Sequence, residues 1–241
     1  MHGPDRGVMY KTIGILGGMS PESTAAYYEY ITRTYTKTFG DYGYPEILIY
    51  SVSFQPYVDW PAEGRWDLVA KGLSQAAQAL EVAGADFILI ATNTMHMDIV
   101  FDEVEASVDV PMLNLLDAVA EAIQERGMET VGLLGTAFTM EKTFYHDALA
   151  DRGIEVLVPG AHDRQRVNNV IYNELVAGEI RDASRKIFVD IIGDLGQRGA
   201  EGVILGCTEI PLLIREEQAA MPLFDTTVIH ADAALRYAIE T

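Results

Sequence analysis

The sequence is poor in cysteine and in positive charge. Cys207 is the only cysteine among 241 residues, which excludes an intrachain disulfide and any metal site built from several cysteines. The 17 Lys and Arg residues are outnumbered by 36 Asp and Glu residues, so the formal net charge is −19 at pH 7. Nucleic acids and anionic membranes both bind basic patches, so neither is predicted as a partner. A site for an anion must therefore be built locally from amides, hydroxyls or a few cations.

Long apolar runs and clustered histidines are also missing. No apolar run reaches the roughly 18 residues of a membrane span. Residues 1–8 are polar and Gly-rich without the apolar region of a signal peptide, and they are predicted to form a disordered or frayed leader. The five histidines are scattered without the spacing of metal ligands. These absences predict a cytoplasmic protein with no metal site.

Short apolar segments alternate with amphipathic stretches, a pattern typical of an α/β fold. Two of these segments read as buried strands that end in polar residues. The strand predicted at residues 85–91 is followed by Thr92-Asn93-Thr94, and the strand predicted at residues 202–206 is followed by Cys207-Thr208-Glu209. In a parallel sheet the carboxyl ends of the strands open into the ligand crevice. We therefore expect Cys207 to face a small substrate.

The first strand is followed by a corner suited to a ligand. Residues 11–16 read as the strand, and Gly17-Gly18 would let a ligand approach the backbone. Ser20 is predicted to cap a helix that begins at Pro21, and the amino end of that helix favours an anion. Further along the chain, residues 60–63 are predicted to form a turn or loop that contains a proline.

The two halves of the chain resemble each other at three places in the same order. The matched segments are residues 15–20 with 133–138, 87–94 with 202–209, and 110–115 with 220–225. This order predicts a duplicated α/β unit whose strand ends face across one cleft, with Thr92 opposite Cys207. The predicted domains are 9–114 plus 223–241 and 115–222.

Five motifs together resemble the aspartate/glutamate racemases, a family that also contains enzymes of hydantoins and maleate. The resemblance covers nearly the whole chain. The motifs are Gly14-Ile15-Leu16-Gly17-Gly18-Met19-Ser20-Pro21-Glu22-Ser23-Thr24, Thr92-Asn93-Thr94-Met95-His96, Gly132-Leu133-Leu134-Gly135-Thr136, Ile171-Tyr172-Asn173-Glu174-Leu175 and Gly206-Cys207-Thr208-Glu209-Ile210-Pro211.

The resemblance implies two pseudo-symmetric Rossmann-like domains, each with a parallel sheet flanked by helices and with the active site in the cleft between them. It implies racemisation of aspartate or glutamate without pyridoxal phosphate, metal or other cofactor, in a homodimer. In this family one cysteine thiolate removes the Cα proton and a second thiol returns a proton to the opposite face. Cys207 matches the second cysteine, whereas Thr92 stands at the position of the first.

The threonine changes the chemistry, because its hydroxyl is a far weaker acid than a thiol, whose reference pKa is about 8.5. Three interpretations follow. Cys207 is the base, and Thr92 returns the proton directly, through water or through His96, so that one enantiomer is favoured. Alternatively, Cys207 alone handles protons and turnover is slow. In the third interpretation the site binds an amino acid without turnover. A subset of the family carries threonine here, which favours the first.

Other residues at the strand ends are candidates for binding the substrate. The α-carboxylate is assigned to Asn93, Thr94 and Thr208, and the ammonium group to Glu209, because a carboxylate beside a thiolate would raise the thiol pKa. Helix amides downstream of Cys207 and the neighbouring Thr208 are expected to activate the thiol, with Glu209 holding its geometry. Met19 and Ser20 are expected to line the pocket. The candidates for a substrate carboxylate are Gln55, Thr136 and Arg164, with Arg166 as a weaker candidate.

Two other classes of function remain open at this point. One is a related isomerase or decarboxylase with a single cysteine, and a decarboxylase would need an apolar pocket for the leaving carboxylate. The other is an amino-acid-binding protein with a weak or inactive site, for which Thr92 is the main support. The sequence leaves the choice between aspartate and glutamate open.

Overall fold

A computed structural model describes residues 10–240 of the chain. The predicted leader, residues 1–8, lies outside the described residues. None of the helices between residues 10 and 240 combines the length and the apolar character needed to cross a membrane.

Strands and helices alternate along the described part of the chain. Its strands are β1 (Ile13–Gly17), β2 (Ile47–Ser51), β3 (Phe87–Ile90), β4 (Met112–Leu113), β5 (Thr130–Leu134), β6 (Glu155–Leu157), β7 (Gly202–Leu205) and β8 (Leu223–Asp225). Its α-helices are α1 (Pro21–Phe39), α2 (Pro56–Ala62), α3 (Trp66–Val82), α4 (Asp98–Glu105), α5 (Leu115–Glu125), α6 (Ala137–Glu141), α7 (Phe144–Ala150), α8 (Ala161–Asn173), α9 (Asp182–Gln197), α10 (Ile210–Leu213) and α11 (Thr226–Ile239). Short 3-10 turns cover Thr94–His96, Leu175–Ala177 and Glu216–Gln218.

The strands form two parallel sheets with the same internal order. The first sheet has the order β2-β1-β3-β4 and the second has the order β6-β5-β7-β8. In each sheet the chain starts at an inner strand, moves to one edge and then returns to the other side. The predicted fold class, two α/β units that each contain a parallel sheet flanked by helices, is confirmed.

The inner strands β1 and β3 of the first sheet are buried on both faces, which explains their continuous apolar sequences. Successive residues of a strand point to opposite faces, so Leu16 and Ile88 pack with helices α3 and α4. Ile15 and Leu89 pack instead with helices α1 and α11. In the second sheet, β5 and β7 pack with residues of α8, α9 and α10.

The described chain divides into two compact units. The first unit contains the described residues up to Leu115 and those from His230 onward, and the second contains Leu116–Ile229. Strand β8 pairs in parallel with β7. Residues 223–229, which the sequence analysis assigned to the N-terminal domain, therefore belong to the second unit.

The predicted loop at residues 60–63 is wrong for most of its length, because α2 covers Pro56–Ala62. Pro56 lies in the first turn, where its missing N–H is not needed. Pro61 lies next to the last residue of the helix. Tyr57 and Trp60 make an edge-on ring contact with centroids 5.3 Å apart. The packing of these rings stabilises a helix that the proline alone disfavours.

Candidate active site

The predicted site residues of the first unit follow three neighbouring strands of its sheet. The carboxyl ends of parallel strands lie at the same edge. These residues are Met19 and Ser20 after β1, Gln55 after β2, and Thr92, Asn93 and Thr94 after β3. The fold therefore brings all the candidates of this half to one sheet edge.

The turn between β1 and α1 is held by side chains of the helix. Gly18 has a φ of +98°, and a Cβ there would lie 2.4 Å from the carbonyl oxygen of Val52, so only glycine fits. The Gly18 amide donates a hydrogen bond to Thr24 Oγ1 at 2.8 Å. Ser20 caps α1, and its Oγ accepts from the Ser23 amide at 3.3 Å. The cap predicted at Ser20 is confirmed.

Met19 and Gln55 differ sharply in exposure. The Met19 side chain is 5% exposed and belongs to the hydrophobic core. Gln55 is exposed, and its amide Nε2 donates to Asp59 Oδ1 at 2.8 Å. Met19 therefore acts through packing, whereas Gln55 presents a polar group. Substrate binding by either residue stays a prediction.

The turn after β3 carries Thr92, which is partly exposed, and Asn93, which is buried. His96 in the same turn is fully buried, and burial lowers its pKa to about 4. Its Nε2 lies 3.1 Å from the carbonyl oxygen of Ile90, and its Nδ1 accepts from the Leu115 amide at 3.3 Å. The proton relay through His96 that the sequence analysis considered is wrong, because both ring nitrogens are bonded to the backbone.

In the second unit, Thr136 and Arg164 are both engaged locally. Thr136 caps α6, with its Oγ1 accepting from the Thr139 amide at 3.3 Å. Arg164 donates from Nη1 to the carbonyl oxygen of Pro159 at 2.9 Å and from Nε to Glu141 Oε1 at 3.3 Å. Arg166 pairs with Asp163 at 3.0 Å. Both arginines therefore already have carboxylate partners on the protein.

Cys207 follows β7 and is half-buried. Its thiol donates a hydrogen bond to Glu209 Oε2 at 2.9 Å. The Thr208 hydroxyl donates to the same oxygen, also at 2.9 Å. One carboxylate oxygen thus holds the thiol and the neighbouring hydroxyl at the end of the strand. This contact is closer and more specific than the sequence analysis expected for Glu209.

The surroundings of Cys207 favour the neutral thiol. Burial raises its pKa well above the ordinary value, and the Glu209 carboxylate raises it further. The Glu209 backbone amide acts in the opposite direction but contributes less. The predicted activation by downstream amides is therefore outweighed, since α10 has only 4 residues and the carboxylate lies within hydrogen-bond distance.

Tyr172 is a neighbour of this pair that the sequence does not identify as a site residue, although it lies in the motif Ile171-Tyr172-Asn173-Glu174-Leu175. The residue lies on α8 and is 59% exposed. Partial burial of the phenol raises its pKa, and Cys207 and Glu209 contribute in the same direction. The phenol therefore belongs to the electrostatic surroundings of the thiol.

Between residues 10 and 240, no group of three or more His, Cys, Asp or Glu side chains lies close enough together to hold a metal ion.

Comparison with known proteins gives consistent matches over most of the chain. The family model described as Asp/Glu/Hydantoin racemase matches residues 16–234. The broad specificity amino-acid racemase RacX of Bacillus subtilis (strain 168) is 27% identical over 226 residues, which cover 92% of this chain and 96% of RacX.

Two solved structures are similar over the same range. A Yersinia pestis protein solved as a candidate Asp/Glu racemase is 43% identical, with a TM-score of 0.90, and the match covers 95% of this chain and 100% of that chain. An aspartate racemase homologue from Pyrococcus horikoshii OT3 is 41% identical, with a TM-score of 0.84 and the same coverage of 95% and 100%.

Proposed function

Because the chain belongs to the Asp/Glu/Hydantoin racemase family and is thus an amino-acid racemase, we propose that it racemises aspartate or glutamate without a cofactor. Cys207 is the principal acid–base group, and Thr92 exchanges a proton on the other face of Cα. The observation that carries this proposal is the thiol of Cys207 bonded to Glu209 at the carboxyl end of β7.

The first step in this mechanism is formation of the thiolate. The Cys207 proton moves along the existing hydrogen bond to Glu209 Oε2, and the thiolate then takes the Cα proton of the substrate. The substrate ammonium group lies beside the new thiolate in this mechanism and stabilises its negative charge, which the Glu209 carboxylate disfavours in the free protein. The thiolate is therefore favoured when an amino acid is bound and disfavoured in the free protein.

The second step returns a proton to the opposite face of the carbanion. Thr92 gives up its hydroxyl proton to Cα and takes a proton from water, and the hydroxide left behind accepts the proton held by Glu209, so that protons balance over the cycle. A threonine hydroxyl is a much weaker acid and its alkoxide a much less available base than the corresponding groups of cysteine. The maximal rates with the two enantiomers should therefore be unequal, whereas kcat/KM is the same for both because enantiomers have equal free energy.

Polar groups at the two strand edges are proposed to hold the substrate. With a net charge of −19 on the protein, hydroxyls, amides, backbone N–H groups and a few cations such as Arg164 are the available partners for the substrate carboxylates. The proposed binding residues are Met19, Ser20, Gln55, Asn93, Thr94, Thr136, Arg164, Thr208 and Glu209. Arg164 would have to exchange its contact with Glu141 for one with the substrate.

We also propose that the enzyme is a homodimer, the state that the resemblance implies. A cytoplasmic location is proposed from the single cysteine, which leaves no disulfide that an oxidising compartment would preserve.

The asymmetry between Cys207 and Thr92 can be measured by exchange in deuterium oxide. Incubation of wild type with each enantiomer of aspartate and glutamate should give deuterium at Cα of one enantiomer faster than of the other, by about tenfold or more. Mass spectrometry measures the exchange, and chiral chromatography measures inversion. The control Thr92→Cys restores a second thiol and should bring the two rates together.

Equal exchange rates from both enantiomers in wild type would overturn the asymmetric mechanism. Absence of exchange and inversion with all four amino acids would overturn the proposed function and favour a binding protein. Release of carbon dioxide in place of inversion would favour a decarboxylase.

Glu209→Gln should shift the pH dependence of the reaction. The amide removes the negative charge that raises the Cys207 pKa, so the limb of kcat/KM that reports thiolate formation should move to lower pH by about one unit. The amide also removes the proton acceptor, so the maximal rate should fall about tenfold or more. The profiles of wild type and variant are compared between pH 7 and 11 at saturating and at low substrate.

Thr208→Val is the matched control for Glu209→Gln, because it removes the other hydrogen bond to the same oxygen and leaves the charge. The limb of its kcat/KM profile that reports thiolate formation should stay near the pH at which it lies in wild type. An unshifted limb in Glu209→Gln would contradict the assigned pairing.

A further inference from the structure

The backbone at the end of β3 is held by an unusual concentration of hydrogen bonds. The Ile90 carbonyl oxygen accepts from the Thr92 amide at 2.9 Å and lies 3.1 Å from His96 Nε2. The next carbonyl, that of Ala91, accepts from the buried hydroxyl of Ser23 at 2.8 Å. Both carbonyls that precede Thr92 are therefore bonded to side chains of different elements.

The partners of His96 determine its protonation. Its Nδ1 accepts from the Leu115 amide at 3.3 Å, so Nε2 carries the proton and donates it to the Ile90 carbonyl. Leu115 follows β4, the neighbouring strand. The imidazole thus joins the carboxyl ends of β3 and β4, and it stacks on Phe101 with ring centroids 5.2 Å apart.

A second buried histidine supports the same strand end from behind. His230 lies on α11, and its Nε2 is 3.0 Å from the carbonyl oxygen of Leu113 in β4. A carbonyl can only accept, so Nε2 donates and Nδ1 accepts from the Tyr27 hydroxyl at 2.9 Å. The His96 and His230 rings meet edge-on with centroids 5.4 Å apart. Tyr27, His230 and His96 therefore form one packed column from α1 to the turn of Thr92.

The second unit fixes the equivalent carbonyl by a different residue. In the matched segments of the repeat, Leu205 corresponds to Ile90 and Cys207 corresponds to Thr92. The Leu205 carbonyl oxygen accepts from the hydroxyl of Thr226, at the start of α11, at 3.0 Å. In both units a side chain thus holds the carbonyl two residues before the proposed acid–base residue. The two units use different side chains, His96 and Thr226, to bond the equivalent carbonyl. We therefore attribute this hydrogen bond to the needs of the site and not to the packing of one unit.

We propose that His96, supported by His230 and Tyr27, is a positioning residue that sets the backbone of Thr92 and Asn93, as Thr226 does for Cys207. The role in catalysis rests on the proposed function. His96 contacts neither the substrate nor the reacting atoms in this proposal. Its effect on Thr92 passes through the Ile90 carbonyl oxygen, which is bonded to His96 Nε2 and also accepts from the Thr92 amide.

His96→Asn and His96→Gln each keep one of the two hydrogen bonds that the His96 ring makes. Asparagine can accept from the Leu115 amide but is too short to reach the Ile90 carbonyl, whereas glutamine can place its amide near the Nε2 position. We expect His96→Asn to lower kcat about tenfold or more per folded molecule, with KM changed less than about threefold. His96→Gln should recover most of the loss. Leu80→Ala, a buried residue of α3 in the same unit, is the control for general destabilisation.

Amide hydrogen exchange supplies a readout that does not depend on activity. The Thr92 amide should exchange about tenfold or more faster in His96→Asn, relative to the amide of Ile88 in the middle of β3, and this ratio should stay near wild type in Leu80→Ala. If wild type proves inactive, this ratio still decides whether His96 holds the turn. The positioning role is overturned if His96→Asn loosens the whole unit evenly, as Leu80→Ala does, or if kcat per folded molecule is unchanged.

Discussion

Cys207→Ala is expected to abolish racemisation, with kcat lowered by about 10³-fold or more for both enantiomers of the preferred amino acid. In the proposed mechanism the thiolate of Cys207 removes the Cα proton, and general acid–base catalysis by one group is worth about 10²–10⁴-fold. Chiral chromatography and Cα deuterium exchange with purified enzyme measure the loss. Both readouts should fall together, because Cys207 takes part in proton transfer in each direction.

Cys207→Ser distinguishes a catalytic thiol from a packing residue. Serine keeps the size and the hydrogen bond to Glu209, but its hydroxyl is a far weaker acid. The unfolding free energy should therefore change little while activity is lost. A buried cysteine with no chemical role would behave in the opposite way, with both variants active and only modest changes in stability. Inversion that survives Cys207→Ala would overturn the mechanism.

The sequence allowed the fold and the position of the thiol to be predicted because both depend on local pattern. Apolar runs that end in glycine and polar residues identify buried parallel strands, and the three matched segments indicate a duplicated unit. The two sheets have the same strand order, as a duplication requires. The family predicted from the five motifs is also confirmed.

The contacts around the thiol could not be predicted from sequence spacing. The sequence predicts that Glu209 binds the substrate ammonium group, which stays a proposal, and the structure adds that its Oε2 accepts from Cys207 and Thr208. Which way a carboxylate turns at a strand end depends on rotamers and on the neighbouring helix. The motif Cys207-Thr208-Glu209 is compatible with either direction, so only coordinates distinguish a thiol partner from a substrate ligand.

Errors at β8 and at His96 have a related cause. Residues 223–229 were placed in the wrong unit because sequence order does not show which sheet a short strand joins, whereas β8 pairs with β7. His96 was considered as a relay because it lies four residues after Thr92. Its ring instead turns into the core to bond Ile90 and Leu115. Long-range packing decides both cases, and neither leaves a local signal.

The unfolding free energy of the first unit is expected to fall steeply below pH 6.5. Burial lowers the pKa of His96 to about 4 and the pKa of His230 to about 3. The charge of His96 also lowers the pKa of His230. An unfolded histidine titrates near 6.5. Between these values the unfolded state binds more protons, so stability decreases as pH falls, by about 1.4 kcal/mol per pH unit for each histidine. Both together should remove about 4 kcal/mol between pH 7.5 and pH 5, a large part of typical stability.

The groups that face these two rings cannot compensate for a positive charge. They are the Tyr27 hydroxyl, the Phe101 ring, the Asn114 side chain and the carbonyls of Ile90 and Leu113. Protonation would also break the acceptor role of each Nδ1 toward the Leu115 amide and the Tyr27 hydroxyl. The column that holds the Thr92 turn should therefore be lost along with the fold of the unit.

Urea unfolding followed by tryptophan fluorescence can test this effect in the first unit, since the chain's 2 tryptophans, Trp60 and Trp66, both lie there. His96→Gln should reduce the slope of stability against pH between pH 6 and 5 by about 1.4 kcal/mol per pH unit. His162→Gln is the control, because His162 has a side chain that is 83% exposed and should leave the slope unchanged. A stability that is constant from pH 7.5 to 5 in wild type would contradict the neutral, buried state of both histidines. Ordinary carboxylates titrate mostly below this range, so the slope between pH 6 and 5 isolates the histidines from the general acid unfolding of an acidic protein.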